Sequence, residues 1–331
     1  MASRLEDRIY GCLLGGLIGD ALGAPVEGWT YERILAEHPP AGVTDFEGVG
    51  TDDTAIREQL LDALLLCEGH VGCDEFAESF RRFAANYHLW WVPVRNMWHK
   101  LASGVTLPVE AGWGNAASSS SAMAIAPMGL INAANPRQAA LETFDVAGLI
   151  HSGPTGFCRD AACAMAAAVA AAVAPDASVE SVLAAAVAYL HPVSAGLMLG
   201  EIAGARELAR ACGGYEAFRA AYYAGHLRPD ICDSRETVPV ALAIFELAGG
   251  EPRAAMLQAA NFGRDADTLG TMVGGLCGAL WGASGLPAEW VAKVEANPKV
   301  RYRELTPALA ALVRSRAAAA TAHAAAIAAL D

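Results

Sequence analysis

The chain has 331 residues, with 23 Lys and Arg against 36 Asp and Glu, for a formal net charge of −13. That balance argues against a nucleic-acid partner, for which a basic face supplies most of the attraction. It leaves room for a small phosphorylated ligand held by one local pocket of donors. Hydrophobic residues make up 54% and charged residues 18%, which excludes global disorder.

The predicted elements are helices throughout. Aromatics are only 7% beside 33 glycines, and a hydrophobic fraction built on Ala reads as closely packed helices. The first helix, over 5–21, carries Gly11, Gly15, Gly16 and Gly19, which let a neighbouring backbone lie close. The next, over 53–68, aligns Ile56, Leu60, Ala63, Leu64 and Cys67 on one face. The pattern predicts further helices over 73–87, 121–133, 136–150, 159–174, 179–190 and 195–211, then 237–247, 252–261, 268–281 and 288–295. Pro136 and Pro252 stand where a first-turn proline is tolerated. Strand signals are sparse, and no repeat period appears. The Ala-rich stretch 314–331 reads as a terminal helix or tail after a single domain over 1–313.

Eight scattered cysteines without a CxxC pair read as small buried hydrophobes. The start lacks a signal-peptide pattern, and the apolar run from Cys12 breaks at Asp20. A cytoplasmic protein with no membrane partner is therefore expected.

Two acidic clusters stand out. Gly50-Thr51-Asp52-Asp53-Thr54 precedes the helix predicted from 53. Gly263-Arg264-Asp265-Ala266-Asp267-Thr268-Leu269-Gly270 precedes the helix predicted from 268. One Asp suffices to cap a helix N-terminus. Each start here carries two carboxylates and a Thr hydroxyl, and the repulsion between the carboxylates is best offset by a cation. Hard divalent ions prefer such oxygen ligands. Spacing alone leaves metal binding and double capping both open. A D-x-D-x-T phosphotransfer signature does not fit, because Thr268 comes one place early and no buried strand precedes it. No P-loop, strand-borne GxGxxG or HExxH is present.

The linked order of three segments is specific. Gly15-Gly16-Leu17-Ile18-Gly19-Asp20-Ala21-Leu22-Gly23-Ala24-Pro25-Val26-Glu27 comes first, followed by the two acidic clusters. From about residue 8 to about residue 292 this resembles the ADP-ribosylglycohydrolase family. Gly114 to Met123 looks like the family's loop facing a diphosphate, and Ile150-His151-Ser152-Gly153-Pro154 looks like its His-containing helix end. The resemblance implies a compact, all-α orthogonal multi-helix bundle with a binuclear metal cleft. It implies two Mg²⁺ or Mn²⁺ ions held by Thr51, Asp52, Asp53, Asp265, Asp267 and Thr268. Glu27 and Asp52 would be the catalytic carboxylates, and Asn115, Ser118, Ser119, Ser120, Ser121, His151 and Gly153 would contact substrate.

The reaction implied is hydrolysis at the anomeric carbon of an ADP-ribosyl group on a protein side chain or small acceptor. Phosphate would be cradled where the helix predicted from Ser121 begins. One of Trp90, Trp91, Trp98 and Trp113 would suit base stacking, the others core or cleft wall. Two departures bear on the ligand. Ala124 stands where the family often carries Arg, and Arg264 where it often carries Gly, adding a cation beside the acidic cluster. A smaller ribosylated metabolite or nucleoside is thus an alternative substrate. Because relatives include lens crystallins, a non-catalytic ADP-ribose binder is another reading.

Overall fold

The computed structural model describes residues 3–48 and 50–330. Seventeen α-helices, joined by short 3-10 turns, make up the described chain, and no strand occurs among the described residues. In order they are α1 (Arg4–Gly23), α2 (Tyr31–Glu37), α3 (Asp52–Leu66), α4 (Cys73–Arg82), α5 (Val92–Ala102) and α6 (Pro108–Ala111). Then come α7 (Ala126–Ile131), α8 (Pro136–Val146), α9 (Phe157–Ala172), α10 (Val179–Ala188), α11 (Gly196–Cys212) and α12 (Tyr215–Gly225). The last five are α13 (Ser234–Leu247), α14 (Pro252–Ala260), α15 (Ala266–Trp281), α16 (Ala288–Glu295) and α17 (Tyr302–Ala328). The all-α expectation holds.

α1 and α15 form the central pair, and glycine makes it possible. They run antiparallel with Gly11 against Gly278, Gly15 against Gly274, Gly19 against Gly270, and Gly23 against Ala266. A Cβ on any of these four α1 glycines would fall inside the partner's backbone. α1 is long and apolar enough to cross a membrane by length and composition, yet 83% of its most apolar stretch is buried in this pair and its neighbours. The Ala-rich α9 is buried against the same core, with Ala161 to Ala172 almost entirely inside. All eight cysteines are free; Cys12, Cys73, Cys158, Cys163 and Cys277 are buried as expected, whereas Cys67, Cys212 and Cys232 are half-buried.

The predicted helix over 121–133 is not continuous. Ser119–Ser121 form a 3-10 turn, and α7 begins only at Ala126, with Pro127 in its first turn. The Ser118 hydroxyl accepts from the Ser120 N–H at 3.2 Å, a local bond that competes with α-helix. No α-helix N-terminus therefore stands at Ser121 to cradle a phosphate. Likewise 73–87 and 136–150 each end in a 3-10 turn after a shorter α-helix. α2, α5, α6 and α12 were not predicted. α17 joins the Ala-rich end to the residues before it, and every residue from Ala317 to Leu330 is exposed.

Candidate active site

The glycine-packed pair delivers its ends to one place. α1 runs out at Gly23, and the following 3-10 turn (Ala24–Val26) leads into Glu27. Facing it, Asp265 holds the N-cap position of α15 without a side-chain capping bond. Backbone bonds lock the two strands of chain together. Gly28 N–H donates to the Arg264 carbonyl, and Arg264 N–H to the Trp29 carbonyl, both at 2.7 Å. Carboxylate oxygens of Glu27, Asp265 and Asp267 consequently lie within 4.8 Å of one another.

α3 brings the other acidic cluster. Thr51 is its N-cap, and the Thr51 hydroxyl donates to Asp267 Oδ2 at 3.1 Å, joining the two clusters directly. The Thr268 hydroxyl lies 3.4 Å from Asp53 Oδ2. Asp20, near the end of α1, was quoted in the motif but not named as a site residue. It is fully buried and accepts from Thr51 N–H at 3.0 Å, Thr54 N–H at 3.1 Å and the Thr54 hydroxyl at 2.6 Å. It thus fixes the turn that aims Asp52 and Asp53. Gly50, at φ +74°, is needed beside it, since a Cβ there would sit 2.6 Å from both Asp20 Oδ2 and the Thr54 hydroxyl.

A cavity of about 230 Å³ opens over the carboxylates. Of the residues expected from sequence, Glu27, Asp52, Asp53, Ser119, Ser120, Asp265, Asp267 and Thr268 line it. Trp91, one of the four tryptophans expected at base or wall, and Met123, from the expected diphosphate-facing loop, join the wall, which Leu89 and Cys232 complete without a sequence signal. No Lys, Arg or His side chain lines it among the described residues. Thr51 stands one bond behind, through Asp267.

The remaining expected contacts form the frame under the serine turn. His151 is fully buried, with Nδ1 2.6 Å from the Ser121 hydroxyl and Nε2 3.1 Å from that of Ser118. Burial pushes its imidazole down to about 4, so it is neutral near pH 7. Asn115 donates to the carbonyls of Pro93 (3.1 Å) and Ile150 (2.6 Å) and accepts from Lys100 at 3.4 Å. Gly153, at φ +64°, gives room to the Trp113 ring, whose atoms occupy the place of a Cβ. On the cavity side, Ser119 donates its hydroxyl to Asp265 Oδ2 at 2.9 Å and its N–H to the Cys232 carbonyl at 2.6 Å.

Electrostatically the site is overcharged. Burial raises Asp53 and Asp267 well above the usual carboxylate range, and neighbouring carboxylates add to it. Burial and Asp20 lift Asp52 to about 7, and burial dominates the rise of Asp265 to about 8. Glu27 keeps much surface open to solvent, but crowding around its carboxyl and the nearby Asp20 charge push it up too. Arg57, behind Asp20, offsets part of that one charge, but among the described residues no cation lines the cavity itself, and the Arg264 guanidinium turns away to pair with Glu236 at 2.8 Å. Asp53 Oδ1 and Asp267 Oδ1 are buried without any hydrogen-bond partner. Such orphaned acceptors are costly, and two of them beside a carboxylate triad fit a metal ion. An ion with oxygen ligands at about 2.0–2.6 Å spans oxygens about 4–5 Å apart, which agrees with the 4.8 Å grouping. The cluster can therefore hold a metal.

An all-helical protein with a buried, cation-seeking carboxylate cluster is the class this architecture defines. The ADP-ribosylglycohydrolase family model matches residues 1–328, and the chain belongs to that family, which makes it a hydrolase by descent. Uncharacterized protein YegU of Escherichia coli K12 is 26% identical, over 94% of this chain and 99% of its own length. The ADP-ribosyl-[dinitrogen reductase] glycohydrolase of Rhodospirillum rubrum is 25% identical, over 93% of this chain and 97% of its own. A solved ADP-ribosylglycohydrolase-related protein complex shares the fold, with a TM-score of 0.68 at 23% identity over 94% of this chain and 98% of that one.

Proposed function

We propose that the protein is a metal-dependent glycoside hydrolase that cleaves the bond at the anomeric carbon of an ADP-ribosyl group on a protein side chain or small acceptor. The observation that carries this reading is the pair of orphaned oxygens on Asp53 and Asp267 beside the Glu27–Asp265–Asp267 triad. Thr51, Asp52, Asp53, Asp265, Asp267 and Thr268 would hold two hard divalent ions, Mg²⁺ or Mn²⁺. When bound, such ions supply Lewis acidity and lower the pKa of water.

The chain's own residues do the rest. Cleavage needs a proton at the leaving oxygen or nitrogen and removal of one from water. Glu27, raised above its ordinary range and open to solvent, can do both in turn. Asp52, half-buried at its side, is the second proton-handling carboxylate. Ser119 and Ser120 orient the sugar-linked group from the wall, held in place by Ser118, Ser121 and His151 behind them. Leu89 and Trp91 make the rim apolar and limit water there. The small, cation-free cavity favours a second reading, hydrolysis of a smaller ribosylated metabolite or nucleoside.

The test is hydrolysis of ADP-ribosyl-arginine, ADP-ribosyl-serine and simple ribonucleosides, each with Mg²⁺, Mn²⁺ or EDTA. Metal-dependent turnover of an ADP-ribosyl compound is expected. Turnover of nucleosides alone would move the assignment to the second reading. A melting shift with ADP-ribose but no turnover on any compound would overturn catalysis in favour of a binder.

A further inference from the structure

Arg264 stands beside the metal-site carboxylates but turns its charge away from them. Its backbone is left-handed, at φ +61°, a conformation that glycine adopts freely and other residues at a cost. A non-glycine residue held there calls for a compensating role. Two sets of contacts supply one. Through its backbone, Arg264 makes both hydrogen bonds that join the Glu27 loop to the Asp265 loop, to Gly28 N–H and the Trp29 carbonyl, each 2.7 Å. Through its side chain, Nε donates to Glu236 Oε1 at 2.8 Å, and Nη2 donates to Glu236 Oε2 at 3.0 Å and to the Arg228 carbonyl at 2.5 Å.

Glu236 is rooted in the first turn of α13, and its carboxylate is 2% exposed. It also accepts the Arg228 N–H at 2.6 Å, closing a ring around the guanidinium. The segment leading into α13 meets the serine turn as well, through the Cys232 carbonyl and Ser119 N–H. Arg264 therefore stands where α13, the Asp265 loop and the Glu27 loop converge.

We propose that Arg264, clasped by Glu236, is a positioning residue for Glu27, setting the separation at which the Glu27 carboxylate, besides handling protons, adds its oxygen to those of Asp265 and Asp267 in holding the ion. This rests on the metal-site reading above. An ordinary core ion pair would stabilise the fold without controlling Glu27. A positioning clasp makes the effect of losing Arg264 depend on Glu27 being present. Arg264→Gly is an apt probe, because glycine relieves the left-handed backbone while the clasp is lost.

The experiment is Mn²⁺ affinity by electron paramagnetic resonance for the wild type, Arg264→Gly, Glu236→Gln, Glu27→Gln and the Arg264→Gly/Glu27→Gln double variant. Arg264→Gly is expected to bind Mn²⁺ about 10-fold more weakly, the range for groups that orient metal ligands. Glu236→Gln should move in the same direction by less. The double variant should be no weaker than Glu27→Gln alone, because both act through one carboxylate. Additive losses, or wild-type affinity in Arg264→Gly, would overturn the proposal. If Arg264→Gly does not fold, Glu236→Gln decides by the same comparison with Glu27→Gln. Failure of the wild type itself to bind Mn²⁺ would instead remove the metal-site reading, and the clasp's role with it.

Discussion

The α1–α15 seam and the carboxylate cavity are two ends of one structure built on opposite terms. Along the seam, four glycine-bearing levels bring backbone against backbone with no room for a methyl group. Just past its end, at Glu27 and Asp265, the same two stretches of chain surround open space, unsatisfied oxygens and like charges. The difference shows how a destabilising site is tolerated. Helices that cannot slide, because any side chain at the seam would collide, hold the carboxylates together against their repulsion. Interiors packed this closely respond to small changes of volume.

Changes on the two sides should therefore have opposite signatures, and the largest is expected at the seam. Gly19→Ala puts a Cβ inside the backbone of Gly270. We expect a loss of at least ~3 kcal/mol or failure to fold, read by thermal melting. A stable Gly19→Ala protein would mean the seam can open. At the cavity, Asp267→Asn should remove metal-dependent activity while the EDTA-treated variant melts no lower than the EDTA-treated wild type, since a repelling charge is gone. Metal should stabilise the wild type by about 2.7 kcal/mol at 100-fold over Kd and leave Asp267→Asn almost unmoved. An Asp267→Asn protein that still shifts with Mn²⁺ would sink the assignment of Asp267 as a ligand.

The same contrast explains what the sequence revealed. Seam glycines at a four-residue step, and carboxylates doubled at helix starts, are local patterns, so Gly11, Gly15, Gly19, Asp52, Asp53, Asp265 and Asp267 were legible. Asp20 was not, because its role is to accept from Thr51 and Thr54, 31 and 34 residues away. Leu89 and Cys232 reach the cavity from connecting segments whose course depends on packing, which is also what singles out Trp91 from the four tryptophans. α5 escaped because Trp98, His99 and Asn96 are poor helix formers, and α12 because Gly213, Gly214 and Gly225 frame a short aromatic stretch. The direction of the Arg264 side chain could not be read from a motif that placed it among acids. Glu236, its partner, lies 28 residues earlier.

The frame behind the serine turn gives a smaller, pH-dependent effect. Burial holds His151 down to about 4, below the ordinary 6.5. Its preference for the neutral form stabilises the fold fully above about pH 6.5, and this contribution is lost as pH falls towards 4. The loss should reach about 2 kcal/mol at pH 5. His151→Gln should lower stability at pH 7 but flatten the slope between pH 7 and 5. An unchanged slope would show that His151 is not the group that titrates.

The smallest effect is expected farthest from both regions. Arg316 is the last anchored residue of α17, donating to the Gly69 carbonyl at 2.6 Å and Asn132 Oδ1 at 3.1 Å and pairing with Glu142. Beyond it every residue to Leu330 is exposed, so the helix there rests on the intrinsic propensity of alanine rather than on packing. Deleting 317–331 should change the unfolding free energy by less than about 0.5 kcal/mol, measured by urea titration, and leave Mn²⁺ affinity unaltered. A larger loss would mean that these turns pack against something in solution. A loss that shrank on dilution would make that partner a second copy of the chain, since dilution strips association-linked stability from the intact chain only.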